Sequence, residues 1–172
     1  MHVLFVCTGN ICRSPTAERL AVAFGGSRRV PRFDTSSAGT RAVVGHPIHA
    51  EAAPVLEQLG GDPSHFAARQ LTVKIASAAD LILTMTRAHR VAVLELAPNR
   101  LQRTFTLSEA SRLISEHGAR TIADLAARRS LLAADETLDI LDPIGQSPEV
   151  FAEIGHQIAH LLPPILEVCH GD

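Results

Sequence analysis

The sequence contains no tryptophan and no tyrosine, so its aromatic side chains are six phenylalanines. A ligand site that needs an aromatic wall must therefore use phenylalanine or histidine. Only three cysteines occur, Cys7, Cys12 and Cys169, and an odd, low count is not typical of a secreted disulfide framework. No apolar run approaches the roughly 18 residues of a membrane span, and no basic segment leading into an apolar one predicts a signal peptide.

Charge is close to balance along the chain. The formal net charge is −2, which does not predict nucleic acid or another polyanion as a partner. The histidines have no spacing that predicts a metal site, and no cofactor is expected. A length of 172 residues favours a single domain, residues 1–172, with a sizeable core. We therefore predict a soluble cytoplasmic protein without a membrane partner.

Short apolar runs alternate with helix-like segments. Strands are predicted at residues 3–6, 32–38, 81–85 and 103–106, and the first is an apolar run that suits burial on both faces. Helices are predicted at residues 15–24, 47–59, 73–78, 87–96, 108–116, 121–127 and 148–162, with Pro163 and Pro164 as a kink or break. This alternation predicts an α/β fold with a parallel sheet, in which ligands bind at the carboxyl ends of the strands.

A loop signature follows the first predicted strand, with the sequence Cys7-Thr8-Gly9-Asn10-Ile11-Cys12-Arg13-Ser14. Gly9 and Asn10 tolerate positive φ, which lets successive N–H groups turn inward as an anion nest. Ser14 is the candidate N-cap of a helix whose N-terminal donors face the same anion. Arg13 presents a guanidinium fork suited to phosphate. We call residues 7–13 the cradle and predict that it binds phosphate.

Cys7 is the candidate nucleophile of the cradle. The surrounding donors favour a thiolate, the reactive form of cysteine, and Ser14 can donate a hydrogen bond to the sulfur. Loss of an alkoxide or phenoxide needs a proton, which a carboxylic acid above the cradle can supply before it activates water. The candidate acids late in the chain are Asp135, Glu136, Asp139 and Asp142. Pro143 stiffens the loop of Asp142 and favours that residue.

Residues 6–15 resemble the signature of the low-molecular-weight protein tyrosine phosphatases. Residues 37–40, 80–85 and 142–143 are similar to further segments of that family, so the likeness extends over essentially the full chain. The resemblance implies a four-stranded parallel sheet flanked by helices, with the phosphate-binding loop after the first strand. It also implies hydrolysis of phosphotyrosine through a phosphocysteine on Cys7, with Arg13 on the phosphate and Asp142 as general acid and base.

The resemblance assigns the remaining cradle residues as well. The substrate, a phosphorylated protein, would place its phosphate or another oxyanion among Thr8, Gly9, Asn10, Ile11, Cys12 and Ser14. Asn10 and Ser37 would hydrogen-bond each other to brace the cradle. Cys12 would form a disulfide with Cys7 and protect it from irreversible oxidation. From the residues alone, Cys12 is equally interpreted as a small packing residue and Asn10 as a turn residue.

The sequence departs from the family after Pro143. Ile144 and Gly145 stand where many members have tyrosines, so the pocket wall is predicted to be aliphatic. Its candidate residues are Ile11, Val43, Val44 and Ile144, and His46 is a candidate for the rim. His49, His65 and His89 are interpreted as surface or core histidines.

Three alternative functions remain open. Bacterial relatives that hydrolyse phosphoarginine have a similar short pair ending in glycine after Asp-Pro. They tend to have threonine at the position of Ile11, and because of this difference phosphotyrosine remains the first predicted substrate. Arsenate reduction needs resolving cysteines in a mid-chain loop, and none stands between Cys12 and Cys169. An inactive phosphate-binding module is disfavoured because Cys7 and Asp142 are both present.

Overall fold

Four parallel strands form a single sheet in this computed structural model, which describes residues 1–26, 33–132 and 138–171. The strands are β1 (His2–Cys7), β2 (Asp34–Gly39), β3 (Leu81–Thr84) and β4 (Thr104–Thr106), and their order is β2-β1-β3-β4. The predicted four-stranded parallel sheet is confirmed. The predicted start of the second strand, at Arg32, lies outside the described residues.

Helices flank the sheet. Within the described ranges they are α1 (Arg13–Gly26), α2 (Ala52–Gln58), α3 (Val73–Ala78), α4 (Arg87–Leu96), α5 (Leu107–Ser115), α6 (Ile122–Arg128) and α7 (Pro148–Gly171). Short 3-10 helices at Pro98–Arg103 and Arg129–Leu131 were not predicted. Threonines cap several helices; Thr86, for example, accepts a hydrogen bond from the backbone N–H of His89 at the start of α4.

The central strand β1 is buried on both faces, as its unbroken apolar sequence predicts. Val3 and Phe5 face a cluster that includes helices α1, α5 and α7, whereas Leu4 and Val6 face a second cluster under α3 and α4. Because β1 is paired on both edges, its carboxyl end is held firmly. Cys7 is the last residue of this strand, so the fold presents it at the sheet edge where ligands bind.

Helix α2 is shorter than predicted. It begins at Ala52, whereas the sequence predicted a start at residue 47. The backbone N–H of His49 donates instead to the carbonyl oxygen of Ile11 at 2.7 Å. This bond holds the segment before α2 against the cradle and prevents it from joining the helix.

Helix α7 is longer than predicted, because Pro163 and Pro164 do not break it. The helix packs against α1 and α5 and buries Leu162, Ile165 and Leu166 around the two prolines. This burial offsets the backbone hydrogen bonds that the prolines cannot donate. No helix in the described part of the chain has both the length and the apolar character needed to cross a membrane.

Candidate active site

The backbone of the cradle turns its carbonyl groups outward. The carbonyl oxygens of Cys7, Thr8 and Gly9 accept hydrogen bonds of 2.9–3.0 Å from N–H groups in the segment 40–43. Those of Ile11 and Cys12 are also bonded to neighbouring N–H groups. Within the described residues, no backbone N–H of residues 8–12 has an acceptor. These N–H groups are therefore available for an anion, as in a backbone nest.

Asn10 provides the left-handed turn of the cradle, with φ of 55°. Gly9 does not have a positive φ, so the prediction that it also supplies such a turn is wrong. A Cβ on Gly9 would lie 3.4 Å from Ile11 Cγ1 and 3.6 Å from Val43 Cγ2. Both neighbours line the cleft described below. A side chain at this position would therefore make ordinary van der Waals contact with the cleft wall.

Cys7 is hydrogen-bonded to Ser14 at the base of the cradle, with 2.9 Å between Sγ and Oγ. The side-chain amide of Asn10 donates to the same Ser14 oxygen at 3.0 Å. Since that oxygen accepts from Asn10, its own hydrogen is left to donate to the sulfur, which stabilises a thiolate. The prediction that Ser14 is an N-cap is wrong, because α1 begins at Arg13 and the Ser14 hydroxyl serves Cys7 instead.

A buried polar network braces the cradle from behind. Asn10 donates to Ser37 Oγ at 2.8 Å, which confirms the predicted bond between these two residues. The amide oxygen of Asn10 accepts from the backbone N–H of Arg69 at 2.9 Å. Ser37 donates in turn to Glu18 Oε2 at 2.5 Å. Burial raises the pKa of Glu18, and the Ser37 bond partly opposes that rise.

Arg13 joins the cradle to the loop before α7. Its guanidinium donates to the carbonyl oxygen of Ile140 at 3.0 Å and to Asp142 Oδ2 at 2.5 Å. The side chain of Arg13 is 4% exposed, whereas that of Asp142 is 46% exposed. The other oxygen of Asp142 accepts from the backbone N–H of Ile144 at 3.2 Å, so the carboxylate also stabilises its own turn. One arginine thus fixes the position of Asp142 over the cradle.

A cleft of about 220 Å³ opens above Cys7. Its lining residues are Cys7, Thr8, Gly9, Ile11, Cys12, Arg13, Arg41, Val43, Asp142 and Ile144. The predicted aliphatic wall is confirmed for Ile11, Val43 and Ile144. Val44 does not line the cleft and is 66% exposed, and the prediction that it forms part of the wall is wrong. The predicted binding residues Asn10 and Ser14 lie behind the cleft and are fully buried.

The structure separates the candidate acids. Asp142 lines the cleft, but Asp139 does not, and its Oδ1 accepts from the backbone N–H of Arg87 at the start of α4. Asp135 and Glu136 lie outside the described residues. Of the described candidates, Asp142 alone therefore lies where it can exchange a proton with a group bound above Cys7.

Cys12 is buried next to Cys7 and lines the same cleft. Burial, followed by the charge of Cys7, raises the pKa of Cys12 to about 12. Cys12 is therefore a neutral thiol at physiological pH, and Cys7 is the better candidate nucleophile. The thiols of Cys7 and Cys12 are both free. Cys169 is buried in α7.

Two residues at the site were not predicted, Arg41 and His89. Arg41 lines the cleft. His89 is buried, and its Nε2 is within hydrogen-bond distance of Thr8 Oγ1, at 2.8 Å. No sequence signal identifies this contact, because Thr8 and His89 are 81 residues apart in the chain. His46, predicted for the rim, is not among the lining residues. Within the described ranges, no group of three or more metal-ligating side chains is suited to a metal ion.

The fold and the loop define a class: a parallel α/β protein whose first strand ends in a cysteine-to-arginine anion loop. Within that class, the family model described as low molecular weight phosphotyrosine protein phosphatase matches residues 2–124. The chain belongs to this family, and the resemblance seen in its sequence is confirmed.

Individual relatives agree with the family assignment. The chain is 43% identical over 96 residues to the low molecular weight protein-tyrosine-phosphatase Etp of Escherichia coli strain K12, an alignment that covers 56% of this chain and 62% of Etp. The crystal structure of a low molecular weight protein tyrosine phosphatase from T. tengcongensis has a TM-score of 0.78 and 30% identity, covering 97% of this chain and 98% of that one. The YwlE arginine phosphatase from Geobacillus stearothermophilus has a TM-score of 0.74 and 28% identity, with 96% and 90% covered.

Proposed function

We propose that this protein hydrolyses phosphotyrosine in proteins through a covalent phosphocysteine on Cys7. The observation that carries the proposal is the Cys7 sulfur, which is hydrogen-bonded to Ser14 at 2.9 Å beneath a loop whose N–H groups have no acceptor among the described residues. The names of the relatives, among them Etp and the T. tengcongensis enzyme, support the same activity.

The first half-reaction transfers the phosphoryl group to sulfur. The N–H groups of the cradle and Arg13 hold the three non-bridging oxygens, where charge is concentrated in the transition state. The Cys7 thiolate forms a bond to phosphorus while the bond to the ester oxygen breaks. Asp142 gives its proton to the departing phenoxide, which leaves as tyrosine. A bound phosphate dianion competes with Asp142 for the guanidinium of Arg13.

The second half-reaction returns the enzyme to its starting state. Asp142, now a carboxylate, takes a proton from water as the water oxygen attacks phosphorus. The bond between sulfur and phosphorus breaks, inorganic phosphate leaves, and the hydrogen bond from Ser14 stabilises the Cys7 thiolate that departs. No step needs a metal, and we retain the prediction that the protein acts in the cytoplasm.

Hydrolysis of p-nitrophenyl phosphate at mildly acid pH, in the presence of a metal chelator, tests the proposal. We expect turnover by the wild-type protein and its loss, by at least about a thousandfold, in Cys7→Ser. Cys169→Ala is the matched control, because Cys169 is buried far along the chain in α7 and does not line the cleft. A Cys7→Ser protein that retained activity would rule out the phosphocysteine.

Phosphoarginine is the second candidate substrate. The structural likeness to the YwlE arginine phosphatase favours it, as does the short Ile144-Gly145 pair beside Asp142. Ile11 opposes it, because a branched apolar side chain in the cleft wall offers no partner to a guanidinium. Initial rates on matched phosphotyrosine and phosphoarginine peptides decide between the two, and we expect phosphotyrosine to be preferred.

A further inference from the structure

A chain of polar side chains runs from the cleft into the protein behind it. Thr8, which follows Cys7 and lines the cleft, has its hydroxyl oxygen 2.8 Å from His89 Nε2. The other ring nitrogen, Nδ1, is 2.9 Å from the hydroxyl oxygen of Thr86. His89 is 7% exposed, and both contacts are partly buried. Neither Thr8 nor His89 is needed for the proton transfers assigned above to Asp142.

The protonation state of His89 is set by its surroundings. Burial lowers its pKa to about 4, and the charge of Arg13 acts in the same direction. The charges of Asp142 and Asp139 raise the pKa of His89, but by less than burial and Arg13 lower it. The imidazole is therefore neutral at the pH of catalysis. A neutral ring has one N–H and one acceptor nitrogen, so its two contacts must run in opposite directions.

The contacts of Thr86 favour one direction for the chain. The hydroxyl oxygen of Thr86 already accepts a hydrogen bond from the backbone N–H of His89, at 3.2 Å, as the cap of α4. Within the described contacts, Nδ1 is the acceptor available to the Thr86 hydroxyl hydrogen. In the tautomer that this contact favours, Nε2 carries the proton and donates to Thr8. The hydroxyl hydrogen of Thr8 is consequently free to point into the cleft.

We propose that His89 is a positioning residue that holds the Thr8 hydroxyl with its hydrogen directed at an oxygen of the bound phosphate ester. This inference rests on the proposed function, because it requires phosphate in the cradle. Thr8 would add a side-chain donor to those of the backbone and Arg13. A hydrogen bond to a charged oxygen is worth roughly tenfold or more in binding the transition state.

Two conservative substitutions of His89 separate this role from simple packing. The amide nitrogen of His89→Gln replaces Nε2 and keeps the contact with Thr8. The amide oxygen of His89→Asn replaces Nδ1 as the acceptor of the Thr86 hydroxyl, and this shorter side chain cannot reach Thr8. A role in packing alone predicts similar losses for both variants. The proposed role predicts activity within about threefold of wild type for His89→Gln and a loss of about tenfold for His89→Asn.

A double-mutant cycle with Thr8→Val provides the decisive test. The readouts are kcat/KM for p-nitrophenyl phosphate and the Kd for vanadate, with the thermal unfolding of each variant recorded. We expect Thr8→Val to lose about tenfold in both, and the double variant Thr8→Val with His89→Asn to lose no more than Thr8→Val alone. Thr8→Ser, which keeps the hydroxyl, should retain most of the activity.

The outcomes distinguish this inference from the proposed function. Additive losses in the double variant, or a Thr8→Val protein with wild-type activity and vanadate affinity, would overturn the role of His89 while leaving the phosphatase intact. A wild-type protein that neither hydrolyses the ester nor binds vanadate would overturn both. A protein that binds vanadate without turnover still tests the inference, because the same coupling must then appear in the vanadate Kd.

Discussion

The cradle and the loop that carries Asp142 are built in opposite ways. Asn10 and Ser14 in and beside the cradle are fully buried, and each has its polar atoms paired with other groups of the protein. Asp142 is about half exposed, and its loop reaches the cradle through the two hydrogen bonds that Arg13 donates. Arg13 thus joins the two regions.

This difference indicates a division of labour. A group that must bind phosphate gains from preorganised donors that need not move, and the cradle supplies them. A group that must give a proton to one molecule and take it from another needs access to solvent, and Asp142 has it. Substitutions of the phosphate-binding groups of the cradle should therefore reduce reaction on all substrates alike. Substitutions in the acid loop should depend on the leaving group.

Arg13→Lys is expected to have the largest effect, because it disturbs both regions. A lysine cannot bind two phosphate oxygens as a fork, nor hold Ile140 and Asp142 together. We expect kcat/KM for p-nitrophenyl phosphate to fall about a thousandfold. Arg112→Lys, in an exposed pair with Glu116 on α5, is the matched control and should stay within about twofold of wild type. A loss below tenfold for Arg13→Lys would show that the two regions are independent of it.

Asp142→Ala is expected to distinguish the role of the acid loop from that of the cradle. Removal of the acid should lower kcat about a hundredfold on phenyl phosphate, whose leaving group needs a proton. The loss should be much smaller on p-nitrophenyl phosphate, whose leaving group departs readily as the anion. Asp139→Asn serves as the control, because its side-chain oxygen can still accept from the backbone N–H of Arg87 at the start of α4 and it does not line the cleft. Equal losses on the two esters would contradict the assignment of Asp142 as the acid.

The burial of His89 predicts how the free energy of unfolding depends on pH. The pKa of His89 is about 4 in the folded protein, against an ordinary value of 6.5 for histidine. Between these values the unfolded chain binds more protons than the folded one, so the free energy of unfolding falls as pH falls. We expect wild type to lose up to about 3 kcal/mol more than His89→Gln from pH 7 to 4, as measured by urea unfolding. Parallel pH profiles for the two proteins would contradict the burial of a neutral His89.

Ile11→Thr is expected to have the smallest effect and to act on substrate choice. The hydroxyl would give a guanidinium a partner in the cleft wall, so the ratio of phosphoarginine to phosphotyrosine hydrolysis should rise several-fold, by about 1 kcal/mol. Val44→Thr makes the same change outside the cleft and should leave the ratio unchanged. An unchanged ratio in Ile11→Thr would contradict the role given to this side chain.

Much of the fold was predictable because its signals are local. The apolar run of β1 and the capping threonines of α3 and α4 act within a few residues of themselves. The limits of α2 and α7 were not predictable, since distant contacts set them. The backbone N–H of His49 is hydrogen-bonded to the carbonyl oxygen of Ile11 in the cradle. The burial of α7 stabilises this helix even though it contains two prolines.

The residues of the site also differ in whether the sequence could predict them. Cys7, Arg13 and Asp142 could be proposed from spacing, loop chemistry and family resemblance, and the structure brings all three to one cleft. His89 could not, because a buried histidine in a helix acquires meaning only from what it contacts. Its partner Thr8 is 81 residues away in the chain, and the two meet only because β1 and β3 are neighbours in the sheet.

Direct detection of phosphate on Cys7 tests the central claim most simply. Asp142→Ala is mixed with p-nitrophenyl phosphate, quenched in acid within its first turnovers, digested and analysed by mass spectrometry, with Cys7→Ser and Cys169→Ala treated in parallel. We predict that the peptide containing Cys7 gains the mass of one phosphoryl group in Asp142→Ala, and that Cys7→Ser gains no such cysteine adduct. Turnover without phosphate on that peptide, or phosphate on another residue, would contradict the account.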